Sequence, residues 1–259
     1  MERLRAQRSS GITGNSLRVW GMILLTAGTL GQSLLENTIL RLGEISPEEL
    51  LNTLQSSSSA MTLATLALLL KAVSTCAVPI FAMLLVEGFT NTSSFKDYIL
   101  RMAIAAVVSE IPFDLAMSRQ FFDFHYQNPM LGMVVCLVLL YFFDRYEENT
   151  FQNVLLKIVV TAAALAWGWM LRIDDCTCLV LLTIVIWAFQ NKPVYRNFIG
   201  AAVSVAFCIG SPFYLASPLG FLIIHFYNGE RSENENRFLA YAAYPLMLLI
   251  VGLITKYLI

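Results

Sequence analysis

The sequence predicts an all-α fold: a polytopic transmembrane bundle of about nine helices (eight to ten), with the N-terminus in the cytoplasm. Two observations on composition predict it, since 57% of the 259 residues are apolar and only 14% are charged. Soluble domains are roughly 45–50% apolar and about 25% charged, so these charges are too few to cover a water-exposed surface. A third observation, the net charge of −1, excludes a basic nucleic-acid-binding protein.

The individual helices follow from apolar runs separated by polar residues. A helix needs about 20 mostly apolar residues to cross a bilayer, and within lipid it satisfies its own backbone polar groups. The stretch Leu63–Leu70 is apolar almost throughout, unlike the alternating strands of a membrane barrel. In chain order the predicted spans are Leu17–Leu35, Ala60–Glu87, Tyr98–Met117, Asn128–Phe143, Val154–Leu171, Thr177–Phe189, Phe198–Ile209, Pro212–Phe226 and Phe238–Ile259.

The orientation follows from the basic residues, which favour the cytoplasmic side of membrane proteins. Residues 1–16 form a basic cytoplasmic N-terminus, and residues 17–259 form a single transmembrane domain. With nine spans the basic residues divide twelve to four between the two faces, and the outer loops are acidic, as at Glu44 and Asp123. The inner face collects Arg3, Arg5, Arg8, Arg18, Lys96, Arg101, Arg145, Lys157, Lys192, Arg196, Arg231 and Arg237, and the outer face Arg41, Arg119, Arg172 and Lys256.

Three ionisable residues within the spans are the candidate catalytic residues, because an ionisable group in lipid is costly and marks function by default. Glu110 and Asp114 lie four residues apart and share a helical face, with Pro112 between them to loosen the backbone. Lys71 lies well inside the second span. The structural alternatives stay open: Lys71 snorkels to the interface, Glu110 forms an ion pair, and Asp114 reaches outer water.

The other polar residues of the spans and loops favour structural roles over catalytic or metal-binding ones. Glu87 and Arg101 flank the loop between the second and third spans, where an ion pair between them would brace it. His125 and His225 have no neighbouring ligands at metal-binding spacing, and the five cysteines lack C-x-x-C spacing. We therefore predict no metal.

Three stretches resemble the TraX family of bacterial membrane proteins, whose founding member acetylates the N-terminus of conjugative pilin. The first stretch is Val78–Phe89, with Thr92, Tyr98 and Arg101 after it. The second is Ser109–Ala116, followed by Gln127 and Asn128. The third comprises Tyr227–Arg231 and Tyr241–Pro245.

This resemblance implies a role in conjugation or a related process, a multi-pass location in the bacterial cytoplasmic membrane, and acyl-CoA (acetyl-CoA) as co-substrate. It also implies an amine or hydroxyl acceptor. The candidate ligand-pocket residues are Glu87, Arg101, Asn128, Arg172, Asp175 and Tyr244.

The sequence also departs from the family pattern at positions that carry its chemistry. An Asp-His pair expected in the first span is Gly28-Thr29, an expected arginine is Thr75, and a histidine after the final Tyr-x-x-Tyr-Pro is Met247. An Asp-Tyr-Gly motif survives only as Asp175 followed by Cys-Thr. Loss of the imidazoles removes the usual general base.

Three functions stay open at this stage. The first is a membrane acyltransferase in which Glu110 or Asp114 is the base and Lys71 stabilises the oxyanion. The second is a catalytically degenerate relative, a pseudoenzyme, that serves as a partner subunit or binding module for another membrane protein. The third is a small-solute transporter with helices broken at Pro79 and Pro112, since discontinuous helices build midplane sites. The predicted partners are the lipid bilayer and either another membrane protein or a protein acceptor, and no nucleic acid.

Overall fold

A computed structural model describes residues 11–39, 46–148, 150–230 and 237–257, and this part of the chain is all-helical. Several residues of the charge count, namely Arg3, Arg5, Arg8, Arg41, Glu44 and Arg231, lie outside the described residues. The helices are α1 Gly14–Leu30, α2 Pro47–Ser56, α3 Ser58–Ser74, α4 Ala77–Thr90, α5 Phe95–Ser118, α6 Pro129–Arg145, α7 Phe151–Met170, α8 Cys176–Ala188, α9 Pro193–Ala206, α10 Pro218–His225 and α11 Arg237–Tyr257. A π-helix, Gly31–Ile39, continues α1, and the 3₁₀ segments Phe207–Ile209 and Pro212–Ala216 precede α10.

Helical structure occupies every predicted span, but two spans are broken. The second is divided at Thr75 and Cys76 into α3 and α4. Pro79 accounts for the break, because proline lacks the amide N–H that would bond the carbonyl of Thr75 and is favoured in a helix's first turn. The eighth span is divided into the segment Pro212–Ala216 and α10. By contrast α5 continues through Pro112, so the break expected there is wrong.

The short helix α2 was not among the predicted spans, and local signals form it. Ser46 caps it by accepting from the amide of Glu49, and the Glu49 carboxylate accepts from the amide of Ser46. This reciprocal capping box, with Pro47 in the first turn, satisfies amides that have no partner within the helix.

The core lies where α4, α5, α6 and α8 meet. Its most buried side chains include Ile80, Leu137, Leu140 and Leu182. Around this centre α11 packs along α5, and α1 packs on α3 and α4. The helix α8 contacts α4, α6, α7 and α9, which makes it the central element and fixes the position of the residues at its N-terminus.

The outer surface is unusually apolar. In α7 only Ala164 and Gly168 are buried, while Ile158 and Trp169 are 60% and 83% exposed. Two helical stretches, Ser58–Thr90 and Phe151–Met170, are long and apolar enough to cross a membrane. Among the described residues no other helix meets that criterion, so the fold by itself does not establish nine crossings.

Helix ends that the sequence assigns to one face are also found together. At the predicted inner face, Ile12 donates to the carbonyl of Phe226 and accepts from the amide of Asn228. At the predicted outer face, the amide of Gln127 donates to the carbonyl of Arg172, and the Lys256 ammonium lies 3.7 Å from the centre of the Phe121 ring. The contacts at these two places agree with the faces that the sequence assigns to those helix ends.

Candidate functional site

A cavity of about 340 Å³ lies between α1, α4 and α5 and reaches α6, α8 and α11. Its middle is apolar, with side chains such as Met22, Phe81, Leu85, Met102 and Met133. Polar groups are concentrated at two places, a cationic end near the helix termini of the predicted inner face and an acidic end at the start of α8. Cavities of this size and character typically bind small molecules or cofactors.

The cationic end carries Arg18, Arg101, Ser93, Ser94 and Asp97. Ser94 caps α5 by accepting from the amide of Asp97, so the positive end of a 24-residue helix faces the same space. Helix N-termini and arginines together favour anions such as phosphate. The Nε of Arg101 is buried and has no hydrogen-bond partner among the described residues. An anionic ligand would supply that partner.

The ion pair expected between Glu87 and Arg101 is not formed. The carboxylate of Glu87 accepts a hydrogen bond from the Tyr227 hydroxyl, and the positive charge of Arg196 lies close to both. Arg101 lines the cavity instead. Glu87 therefore helps to join α4 to the segment after α10, and Arg101 is left at the cavity.

The acidic end is built around Asp175. This residue precedes α8 in a left-handed conformation, with φ of 53°, and lines the cavity together with Tyr244. The Tyr214 hydroxyl donates a hydrogen bond to its carboxylate. Burial and the neighbouring charge of Asp174 raise the pKa of Asp175 to about 7, against the opposing influence of Tyr214 and the Lys71 ammonium. The pKa of Asp175 is thus shifted toward the range in which an imidazole titrates.

Lys71 is held beside this end without lining the cavity. Its ammonium lies 5.2 Å from the centre of the Phe213 ring and is close enough to Asp174 and Asp175 to favour their ionised forms. The residue expected to stabilise an oxyanion is thus placed as a counter-charge to the acidic end.

A second acidic region, on α5, adjoins the same contact between Gln127 and residues 172–174. Glu110 accepts a hydrogen bond from the Asn128 amide, which also donates to the carbonyl of Ala106. Asp114 accepts from the backbone amide of Asp123 at 2.9 Å. One oxygen of each acid, Oε1 of Glu110 and Oδ1 of Asp114, is buried without a partner among the described residues. Tyr244 lies within electrostatic reach of Glu110 as well as of Asp174 and Asp175, and so joins the two regions.

The predicted site residues therefore divide into three groups. Arg101, Asp175 and Tyr244 line one cavity. Lys71 lies within electrostatic reach of Asp175, and Glu110, which accepts a hydrogen bond from Asn128, lies within reach of Tyr244. Asp114, Glu87 and Arg172 are elsewhere. Arg172 is exposed, and its carbonyl accepts from Gln127. The catalytic roles assigned to Glu110, Asp114 and Lys71 stay predictions.

Sequence reasoning missed Arg18 and Tyr214. Arg18 was counted only for topology, and a tyrosine within an apolar run carries no signal of a buried partner 39 residues earlier in the chain. The signal that could have found Tyr214 is the string Gly210-Ser211-Pro212, which breaks a helix where polar groups are otherwise scarce.

The departures from the family pattern also gather near the cavity. A Cβ built on Gly28 would lie 2.2 Å from the Cβ of Ser74, and Ser74 itself lines the cavity. The Thr75 hydroxyl donates to the carbonyls of Ala72 and Phe213. Small side chains in close contact therefore occupy the space where the resemblance implies an Asp-His pair and an arginine. Within the described ranges no three His, Cys, Asp or Glu side chains are grouped to hold a metal ion.

The fold and the site together define an α-helical bundle with an apolar exterior and an internal cavity, cationic at one end and acidic at the other. The chain belongs to the TraX family, since the family described as TraX protein matches residues 51–255. No curated protein and no solved structure matches the chain significantly. The family resemblance seen in the sequence is confirmed.

Proposed function

We propose that the chain is a multi-pass protein of the bacterial cytoplasmic membrane with nine crossings, α3 and α4 together forming one. The support is the exposed apolar surface, which lipid would cover, and the alternation of helix ends between two faces. Single cysteines placed in the loops of a variant without native cysteine test this. We expect those near Ser93 and Glu147 to react with an impermeant thiol reagent only from the cytoplasmic side, and those near Gln127 only from the other. Labelling of both sets from one side would contradict the topology.

We propose further that the cavity is the site of acyl transfer from acyl-CoA. Acyl-CoA is cytosolic and carries phosphates, which the Arg18 and Arg101 end would bind at the predicted inner face. The apolar middle of the cavity would hold the flexible chain of acyl-CoA that carries the thioester. The thioester carbon would then lie toward Asp175, and the acceptor amine or hydroxyl would reach it there.

The chemical step needs a base, and Asp175 is suited to it. The acceptor N–H or O–H proton passes to the Asp175 carboxylate as its nitrogen or oxygen bonds to the thioester carbon. The C–S bond then breaks, and the thiolate leaves and takes up a proton. General bases work best when their pKa lies near the operating pH. Asp175 thus supplies the proton acceptor that the missing histidines would have provided.

The observation that carries this proposal is one cavity with Asp175 at one end and, at the other, an Arg101 Nε that has no hydrogen-bond partner in the part of the chain that the structure describes. The test is consumption of acetyl-CoA and longer acyl-CoA by detergent-purified protein with amine and hydroxyl acceptors, beside thermal unfolding with and without acyl-CoA. We expect acyl-CoA to stabilise the protein and Asp175→Asn to remove turnover. No turnover with any acceptor, together with no stabilisation, would overturn it.

A second candidate is a non-catalytic partner subunit, and the contact of Gly28 with Ser74 favours it. Small residues in close contact occupy the positions where the family pattern has ionisable residues. The family motifs around Val78–Phe89 and Ser109–Ala116 are nevertheless present. Affinity purification from native membranes would then recover a partner in fixed stoichiometry. An isolated chain that performs acyl transfer would refute this candidate.

A further inference from the structure

The segment Pro212–Ala216 lies against the break between α3 and α4. The hydroxyl of Thr75 donates to the carbonyl of Phe213 at 3.1 Å, and the thiol of Cys76 contacts the carbonyl of Ala216 at 3.0 Å. Each contact joins a backbone carbonyl of the segment to a residue at the helix break. Two interrupted helices thus hold each other, and such interruptions at membrane depth are stable where they line a polar site.

This packing brings two neighbouring side chains of the segment, Phe213 and Tyr214, into contact with groups of opposite charge. The Phe213 ring lies under the Lys71 ammonium, an attraction between a cation and the ring's negative face. The adjacent Tyr214 is 7% exposed, and its hydroxyl donates to Asp175. One short segment therefore positions both a cation and a hydrogen-bond donor around the carboxylate at the acidic end of the cavity.

We propose that Tyr214 is a positioning residue whose segment, Pro212–Ala216, controls the proton on Asp175 together with Lys71 and Asp174. This inference rests on the proposed function in taking Asp175 as the base. The Tyr214 hydroxyl and the Lys71 ammonium favour the carboxylate, whereas the charge of Asp174 favours the protonated acid. Two other titratable groups act on Asp175, namely Tyr244 from α11 and Cys178 from α8, and Glu110 from α5 acts in turn on Tyr244.

The proposal makes predictions of opposite sign for neighbouring substitutions. Tyr214→Phe removes only the donated hydrogen bond, and Lys71→Met removes the counter-charge, so both should raise the pH at which Asp175 ionises by about one unit. Asp174→Asn removes a like charge and should lower that pH. Tyr227→Phe is the matched control, because it deletes a tyrosine–carboxylate hydrogen bond at Glu87, away from Asp175.

Two measurements check these shifts. Infrared titration of the purified protein measures the ionisation of Asp175 through the carboxyl band that is lost in Asp175→Asn. The pH dependence of the acyl-transfer rate measures how this ionisation affects activity. We expect the midpoint to rise in Tyr214→Phe and Lys71→Met, to fall in Asp174→Asn, and to stay unchanged in Tyr227→Phe. If Tyr214→Phe does not fold, Thr75→Val loosens the same segment and should raise the midpoint by less.

The outcomes separate this inference from the proposed function. If the infrared midpoints shift in the expected directions but the protein has no acyl-transfer activity, the proposed function is rejected. The inference that the segment controls the proton on Asp175 then still stands. Midpoints that do not move in the Tyr214 or Thr75 variant, or that move equally in Tyr227→Phe, would overturn the inference even if the protein transfers acyl groups.

Discussion

Two acidic regions of this bundle differ in what holds their carboxylates. Near the outer face, Glu110 and Asp114 accept hydrogen bonds from Asn128 and from the backbone of Asp123, so they brace α5 against α6 and the outer loop. At the cavity, Asp175 is held by a tyrosine hydroxyl and faces open space. Both acids of the pair with the more suggestive spacing in sequence are thus held by hydrogen bonds between elements, and their catalytic role stays a prediction. The single acid at a helix start is the better candidate for chemistry, because access decides what a carboxylate can do.

The largest expected difference between the two acidic regions is in the rate of catalysis. Asp175→Asn should lower the rate of acyl transfer by at least about 100-fold, since a general base contributes about 10²–10⁴-fold. Asp114→Asn, the matched change in the other region, should leave the rate within a few-fold. Initial rates of acyl-CoA consumption measure both. If Asp114→Asn instead lowered the rate more than Asp175→Asn, the general base would be one of the acids of α5.

Ligand binding gives the next largest effect. Arg101→Met should weaken acyl-CoA binding by about 10-fold or more, as expected on loss of a charge-assisted hydrogen bond. Arg145→Met removes an exposed arginine at the end of α6 and outside the cavity, and serves as control. Isothermal calorimetry in detergent compares them, and equal losses would indicate general electrostatic attraction in place of a site.

Stability should depend on the acidic region of α5, through the residue that holds Glu110. Asn128 is fully buried, caps α6 and bonds both Glu110 and Ala106. Asn128→Ala should therefore reduce the free energy of unfolding by about 2 kcal/mol, as for loss of a cap and of buried hydrogen bonds. Asn153→Ala, which loses a bond to the carbonyl of Glu148 near the surface, should cost less. Thermal unfolding monitored by circular dichroism decides between them, and equal losses would deny Asn128 its bracing role.

The smallest effect concerns pH and the outer loop. Hydrogen bonds from the amide and ring of His125 lower the pKa of Asp123 below its usual value. A carboxyl whose folded pKa is depressed stabilises the fold above its ordinary pKa, near 4, and loses that contribution as pH falls through the folded value. Hydrogen exchange of residues 119–128 should therefore be slow at pH 5 and accelerate, after correction for intrinsic rates, below about pH 4. Asp123→Asn should abolish this dependence, and its persistence there would assign it to another group.

The sequence predicts most helices of this fold well because they coincide with apolar runs, and the orientation drawn from its charges stays a prediction. It does not show where two runs break and meet, because the contact of Thr75 with Phe213 joins residues 138 apart in the chain. The candidate site was found only in part for the same reason. Arg101, Asp175 and Tyr244 were singled out through motifs, whereas Tyr214 and Arg18 gain their roles only from packing. The spacing of Glu110 and Asp114 correctly places them on one helix but cannot tell a bracing acid from a reactive one.

The contact between Gly28 and Ser74 has a consequence for engineering. An aspartate cannot be introduced at position 28 alone, because its first side-chain carbon would overlap Ser74. Reconstruction of the family's ionisable group would have to begin on the neighbouring helix, with Ser74→Gly, and only then proceed to position 28. The order of the two mutations, more than the choice of residue, would determine whether an intermediate protein folds at all.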